Sequence, residues 1–251
     1  MSCDKTTTRL LLFLCAVIFM VFGCKQPKKK LPITVSIPGV VEREPIKIEV
    51  AKEEPIGEST KERSGIVRVK FHRGTSYSVG TGFFVIHRKN KYLLTAGHNA
   101  VASNKVTVFR NAGSIDVNIL KHKILMKDDL AAFLVETQET CFELDDPEIF
   151  NNIPDFGQLY KPGKYNPLEI EMFGYPEEWN FRKIDGQIYQ TIFDGKFLVC
   201  TGRCASGMSG GPWFNKKTGK IVSVHAVQLC GKSSGGVPLK KIIKLLNEME
   251  K

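Results

Sequence analysis

Long apolar runs are scarce in this 251-residue chain. The clearest one, Leu10 to Phe22, is short for a membrane span and has the length of a signal-peptide core. Metal-ligand clusters are missing too: no grouping of His and Cys has a zinc spacing, so neither a metal nor another cofactor is expected. Basic side chains are in excess, with a formal net charge of +10, but they are not interleaved with aromatics in a nucleic-acid motif. Nucleic acid is therefore not an expected partner. The charge points instead to acidic surfaces or substrates, an anionic envelope surface among them. Aromatic side chains are absent from residues 25–62, which are rich in Lys, Glu and Pro. Such a segment buries too little apolar surface to offset its ordering entropy, and a semi-extended stalk is expected. Alternation at Ile33 to Ile37 and Ile46 to Val50 leaves a docked edge strand as the competing reading. No internal repeat stands out.

The N-terminus carries Lys5 and Arg9 ahead of its apolar run, so export is expected. The run ends in Val21-Phe22-Gly23-Cys24, which resembles a bacterial lipobox in which Cys24 would be lipidated as the first mature residue. Phe22 is bulkier than the usual residue there. An uncleaved anchor, or a signal cut elsewhere, is the alternative. The expected organisation is a signal over 1–24, a stalk over 25–62 and one domain over 63–251, long enough for two small packed barrels.

Within the domain, short runs punctuated by Gly, Pro and Asn read as strands. Gly65 to Phe71 alternates like a half-buried strand. Gly80 to Ile86 and Lys91 to Thr95 flank a turn at Arg88 to Asn90. Lys105 to Phe109, Ile115 to Leu120 and Leu130 to Val135 complete a first half. Leu168 to Phe173, Gln187 to Phe193, Phe197 to Thr201, Gly211 to Phe214 and Lys220 to Val227 make a second, with a turn at Lys216 to Gly219. From Pro238 to Met249 apolar residues recur near helical spacing between lysines, which predicts a closing amphipathic helix.

Three segments carry the chemistry: Thr95-Ala96-Gly97-His98, Asp129-Leu130-Ala131 and Gly207-Met208-Ser209-Gly210-Gly211-Pro212. In that order they resemble the chymotrypsin-fold serine peptidases. The resemblance covers most of Arg63 to Lys251 and implies an all-β, chymotrypsin-like double β-barrel with a C-terminal amphipathic helix. It implies a serine endopeptidase acting on protein or peptide. A serine hydroxyl is a poor nucleophile until an imidazole takes its proton, and that imidazole needs a carboxylate to hold its tautomer. Ser209, His98 and Asp129 would take these roles, while glycines about the serine let the N–H groups of Gly207 and Ser209 converge on one oxyanion. Asp128 reads as a solvated turn residue, because the apolar-Ala pair follows Asp129 directly. His72, His87 and His122 lack any such context.

Two branches of the family are echoed. Gly80-Thr81-Gly82-Phe83 and Gly235-Gly236-Val237-Pro238 look like HtrA-type bacterial peptidases, although no PDZ domain is expected. Pro212-Trp213-Phe214-Asn215 and Gly219 to His225 are similar to glutamyl endopeptidases. Met208 replaces the Asp with which digestive members bind a newly cut amino terminus, so that ion pair is not expected. His225 falls where glutamyl endopeptidases, and picornaviral cysteine proteases, place a histidine contacting Glu or Gln before the scissile bond. Their accompanying Thr or Ser is Cys204 here, and Arg203 offers charge only if turned inward. An apolar-selecting pocket is the alternative. Four cysteines fall in the domain, Cys141, Cys200, Cys204 and Cys230, with three possible pairings or free thiols. The resemblance favours Cys204 with Cys230 bracing the specificity pocket, and Cys141 with Cys200 as the corollary. A catalytically silent, protease-like binding module at the cell envelope is the alternative function. The oligomeric state is left open.

Overall fold

The computed structural model describes residues 64–110, 113–115, 117–151, 153–155, 167–176, 181–229 and 233–251. The signal, the lipobox with Cys24, the stalk and Cys230 lie outside these residues. No helix among the described residues is long and apolar enough to cross a membrane.

Strands β1 (Ile66–Arg73), β2 (Ser76–His87), β3 (Asn90–Ala96), β4 (Lys105–Arg110), β5 (Gly113–Ser114), β6 (Asn118–Leu125) and β7 (Leu130–Glu136) form a seven-stranded antiparallel sheet, in the order β5-β4-β1-β2-β3-β7-β6. A single helical turn, α1 (Gly97–Ala100), follows β3. Strands β8 (Leu168–Gly174), β9 (Arg182–Ile192), β10 (Phe197–Thr201), β11 (Pro212–Asn215), β12 (Ile221–Gln228) and β13 (Ser233–Pro238) close a barrel, in the order β10-β13-β12-β11-β8-β9. Helix α2 (Leu239–Met249) ends the chain. The architecture is an all-β, chymotrypsin-like double barrel with a C-terminal helix.

The apolar runs of the sequence make sense once both faces of a strand are buried. Side chains alternate across a strand, so neighbours in the run enter different cores. Phe84, Leu93, Ala131 and Phe133 point into the first sheet's own core with Val67, Val69 and Phe71. Their neighbours Phe83, Val85, Tyr92, Leu94, Leu130 and Ala132 point the other way. There they meet Phe173, Phe214 and Val224 of the barrel and Leu239, Ile242, Leu245 and Leu246 of α2. Phe214 sits edge-on to both Phe142 and Phe173, with ring centroids 4.9 and 5.5 Å apart. Each such buried side chain contributes roughly 1.5–3 kcal/mol, so this shared layer fixes one half against the other. A third core, with Ile170, Met172, Trp213 and Val222, fills the barrel.

Helix α2 buries Leu239, Ile242, Leu245, Leu246 and Met249 and is tied down by charge. Lys123 pairs with Glu248 at 2.8 Å, Arg88 pairs with Glu250, and Lys241 reaches Asp128 at 2.8 Å. Asp128 is thus not a solvated turn residue: its side chain is 16% exposed and anchors the helix from 113 positions away in the chain.

The cysteine expectation needs correction. Cys141 and Cys200 are free thiols, not a pair. Cys141 packs against the core of the first sheet, whereas Cys200 points into the barrel, 3.4 Å from the Met172 sulfur. Burial pushes the thiols of Cys141, Cys200 and Cys204 upward in pKa, that of Cys204 to about 11. Cys204 is also a free thiol in the barrel core; its expected partner Cys230 is outside the described residues.

Candidate active site

Strand β3 delivers His98 into α1, directly against the residue that precedes β7. The His98 backbone N–H donates to Asp129 Oδ1 at 2.8 Å, and the ring Nδ1 lies 3.0 and 2.9 Å from the two carboxylate oxygens. Asp129 therefore grips both the backbone and the imidazole of His98. Two local features permit this approach. Asp129 adopts the left-handed region, φ +51, at the end of a 3₁₀ turn over Met126–Asp128, a conformation that Asp tolerates better than most side chains. Gly97 supplies the space: a Cβ there would stand 2.9 Å from Leu130 N and 3.1 Å from Asp129 C. The Asp129 side chain is 20% exposed and that of His98 44%, so the imidazole is reached by solvent while its carboxylate partner is largely covered.

Ser209 comes from the loop between β10 and β11, within a turn that presses on the first sheet. Gly207 and Gly210 both have positive φ, +88 and +89. At Gly210 a Cβ would fall 2.1 Å from Thr81 O and 2.2 Å from Thr95 Oγ1, a contact that only glycine allows. The Ser209 carbonyl accepts from the Thr81 N–H at 2.9 Å and from Asn99 Nδ2 at 3.0 Å. Asn99 is the residue after His98, so one short segment carries the imidazole and also holds the serine's backbone. Arg73 secures that segment from behind, donating to the carbonyls of His98 and Asn99 at 2.9 and 3.1 Å.

Among the described residues, neither the Gly207 N–H nor the Ser209 N–H donates to a backbone carbonyl, so the two groups have no backbone acceptor at the serine turn. No hydrogen bond joins the Ser209 hydroxyl to the His98 ring among the described residues. The structure assembles the His98–Asp129 contact directly, and brings Ser209 to it through Asn99 and Thr81. Bonds of this kind commonly tighten only when substrate binds. Thr81, Thr95, Asn99 and Arg73 were not candidates from sequence. Their signal was confined to adjacency, Thr81 in the Gly80–Phe83 segment and Asn99 beside His98.

His225 lies on β12, next to the serine turn: its carbonyl accepts from the Gly210 N–H at 2.7 Å and its N–H donates to Gly211 O at 2.8 Å. Its ring is 3% exposed and stacks on Trp213 at 6.1 Å, with Nδ1 buried and unpartnered. Burial, reinforced by repulsion from His98 and partly offset by Asp129, pushes its pKa down to about 4. At neutral pH it is an uncharged donor or acceptor behind the site. Arg203 is exposed.

The fold is of the chymotrypsin-like, double-barrel class. The chain belongs to the trypsin-like peptidase domain family, whose model matches residues 80–224, more than half of its 251 residues. Its fold is similar to that of a serine endoprotease from Yersinia pestis, with a TM-score of 0.57 at 17% identity. That match covers 74% of this chain and 62% of the Yersinia chain, so this chain spans under two thirds of that protein's length. It is also similar to the active form of the Rv3671c protease from M. tuberculosis, with a TM-score of 0.54 at 16% identity, covering 85% of this chain and 93% of that one. An inactive form of Rv3671c gives 0.53 at 16% identity, over 74% and 89%. A search of curated proteins finds no match.

Proposed function

We propose that the chain hydrolyses peptide bonds through Ser209, His98 and Asp129 by way of an acyl-enzyme. The observation that carries this reading is the two-pronged grip of Asp129 on His98, at 2.8 Å to the backbone and 2.9 Å to the ring. A carboxylate so placed fixes the tautomer that leaves Nε2 free to take the serine proton, and it stabilises the imidazolium that follows. Attack by Ser209 Oγ on the substrate carbonyl then places negative charge on its oxygen. The N–H groups of Gly207 and Ser209 stabilise that charge. His98 returns its proton to the leaving amine, and water repeats the sequence on the ester. A binding module would require neither the grip nor the free N–H pair.

The finer reading concerns the residue before the scissile bond. A neutral His225, with Nδ1 unpartnered beside the serine turn, supports recognition of Gln or Glu through an N–H donor rather than through a full charge. The proposal also puts the domain at the cell envelope, tethered by a lipid on Cys24 through the Lys-, Glu- and Pro-rich stalk. Digestion of a peptide library by the purified protein, alongside Ser209→Ala, tests both levels. Cleavage absent from Ser209→Ala supports the endopeptidase reading. A preference for Gln or Glu that disappears in His225→Ala supports the specificity, and a preference for small apolar residues unchanged in that variant overturns it.

A further inference from the structure

The side chain of Thr81 does something that neither its backbone pairing nor core packing requires. Fully buried on β2, its hydroxyl donates to Gly207 O at 2.9 Å and accepts from the Tyr175 N–H at 2.9 Å. Its own N–H holds Ser209 O at 2.9 Å, and its carbonyl is held in turn by Thr95 Oγ1 at 2.8 Å. The slot is tight: a Cβ on Gly174 would stand 2.9 Å from the Thr81 hydroxyl oxygen. Both ends of the Gly207–Ser209 segment are thus tied to one residue of the opposite half of the domain. The Gly207 carbonyl belongs to the peptide that lies between the two oxyanion donors. Gly207 has φ +88 and no side chain, so its own conformational preferences do not fix that peptide; the Met208 N–H on Ala205 O at 3.1 Å holds one edge of it and the Thr81 hydroxyl the other.

We infer that Thr81 is a positioning residue for the oxyanion hole: its hydroxyl fixes the Gly207 carbonyl, so that the N–H groups of Gly207 and Ser209 converge on one point. This inference rests on the endopeptidase reading and names a part of its machinery. The hydroxyl touches no substrate; it acts through the loop. Its effect therefore falls on the tetrahedral intermediate and not on ground-state binding. Losing an oxyanion donor outright typically costs about 100- to 1,000-fold in kcat. Loosening the loop that carries the donors should cost about 10- to 100-fold.

The test compares wild type, Thr81→Val, which keeps the shape and removes the hydroxyl, and Thr81→Ser, which restores it. Readouts are kcat and KM on a fluorogenic peptide ester and the affinity of a peptide aldehyde, which forms a tetrahedral adduct. Thr81→Val is expected to lower kcat and aldehyde affinity by similar factors with KM nearly unchanged, and Thr81→Ser to recover to within about threefold of wild type. Unchanged kcat and aldehyde affinity in folded Thr81→Val overturns the inference and leaves the endopeptidase reading standing. A merely structural role would be exposed by a lower melting temperature with kcat intact. Should Thr81→Val not fold, Thr81→Ala, which leaves room for water at the Tyr175 N–H, is read by the same criteria. Absence of turnover in folded wild type overturns the endopeptidase reading and the inference with it.

Discussion

His225 makes the stability of this domain depend on pH between the pKa values of its unfolded and folded states. Its ring is buried against Trp213 and close enough to His98 to be repelled by it, which lowers its pKa from 6.5 to about 4. As pH falls, the unfolded chain takes up the proton first. The contribution of neutral, buried His225 is fully present above pH 6.5, is lost progressively as pH falls toward 4, and levels off below. At ~1.4 kcal/mol per pKa unit, the gap between 6.5 and about 4 amounts to about 3 kcal/mol. That is a large share of the ~5–15 kcal/mol typical of a domain. Urea unfolding of wild type and of His225→Phe, followed by tryptophan fluorescence from pH 7.5 to 4.5, isolates the effect. Carboxylates titrate in both proteins, so the difference in their slopes belongs to His225. Wild type should lose more stability than the variant over that range, by ~2–3 kcal/mol. Parallel slopes would refute the reasoning, as would an NMR titration placing the His225 ring near 6.5.

Four further outcomes are expected. Asp129→Asn should lower kcat by about 10⁴ through loss of the His98 tautomer. Asp128→Asn should leave kcat within a few fold and cost about 1 kcal/mol in urea, through loss of its bond to Lys241; equal kinetic losses at the two positions would contradict the assignment. Gly97→Ala, whose Cβ would meet backbone at 2.9 Å, should part His98 from Asp129, lowering kcat at least ~10-fold and stability by ~1–3 kcal/mol, as measured by steady-state kinetics and urea unfolding. Full-length protein made in a bacterium should incorporate labelled fatty acid and partition into detergent, and Cys24→Ala should abolish the label; partitioning without label in both would favour an uncleaved anchor.

What the sequence disclosed, and what it hid, follows from how local each cause is. Runs such as Phe83-Phe84-Val85 and Leu93-Leu94 betray strands buried on both faces, and the turn at Lys216 to Gly219 closes as expected, with the Gly219 N–H on Asn215 O at 2.8 Å. His98, Asp129 and Ser209 were legible because the close backbone approaches around them demand glycines at neighbouring positions. Strand β13 was not: Ser233–Pro238 has small residues and little alternation, and is a strand only because β10 and β12 flank it. Strand β9 begins at Arg182, well before Gln187, because its polar first half pairs with β8 at the barrel surface. The first half is a seven-stranded sheet, and its strand β6 runs on to Leu125, whereas periodicity predicts a strand only to Leu120. The Asp128–Lys241 pair and the links from Thr81 to Gly207 and Ser209 join residues more than a hundred positions apart and leave no local trace. Cysteine count proved a weak guide, since it ignores which core each thiol enters: Cys141 and Cys200 belong to different ones.

The central claim is that Ser209 is a nucleophile activated by His98. Treating the folded protein with a fluorophosphonate probe and locating the adduct by mass spectrometry tests it most directly. The account predicts stoichiometric modification at Ser209, absent from Ser209→Ala and slowed by several orders of magnitude in His98→Ala. No adduct in the folded wild type, or an adduct of equal yield in Ser209→Ala, would contradict it.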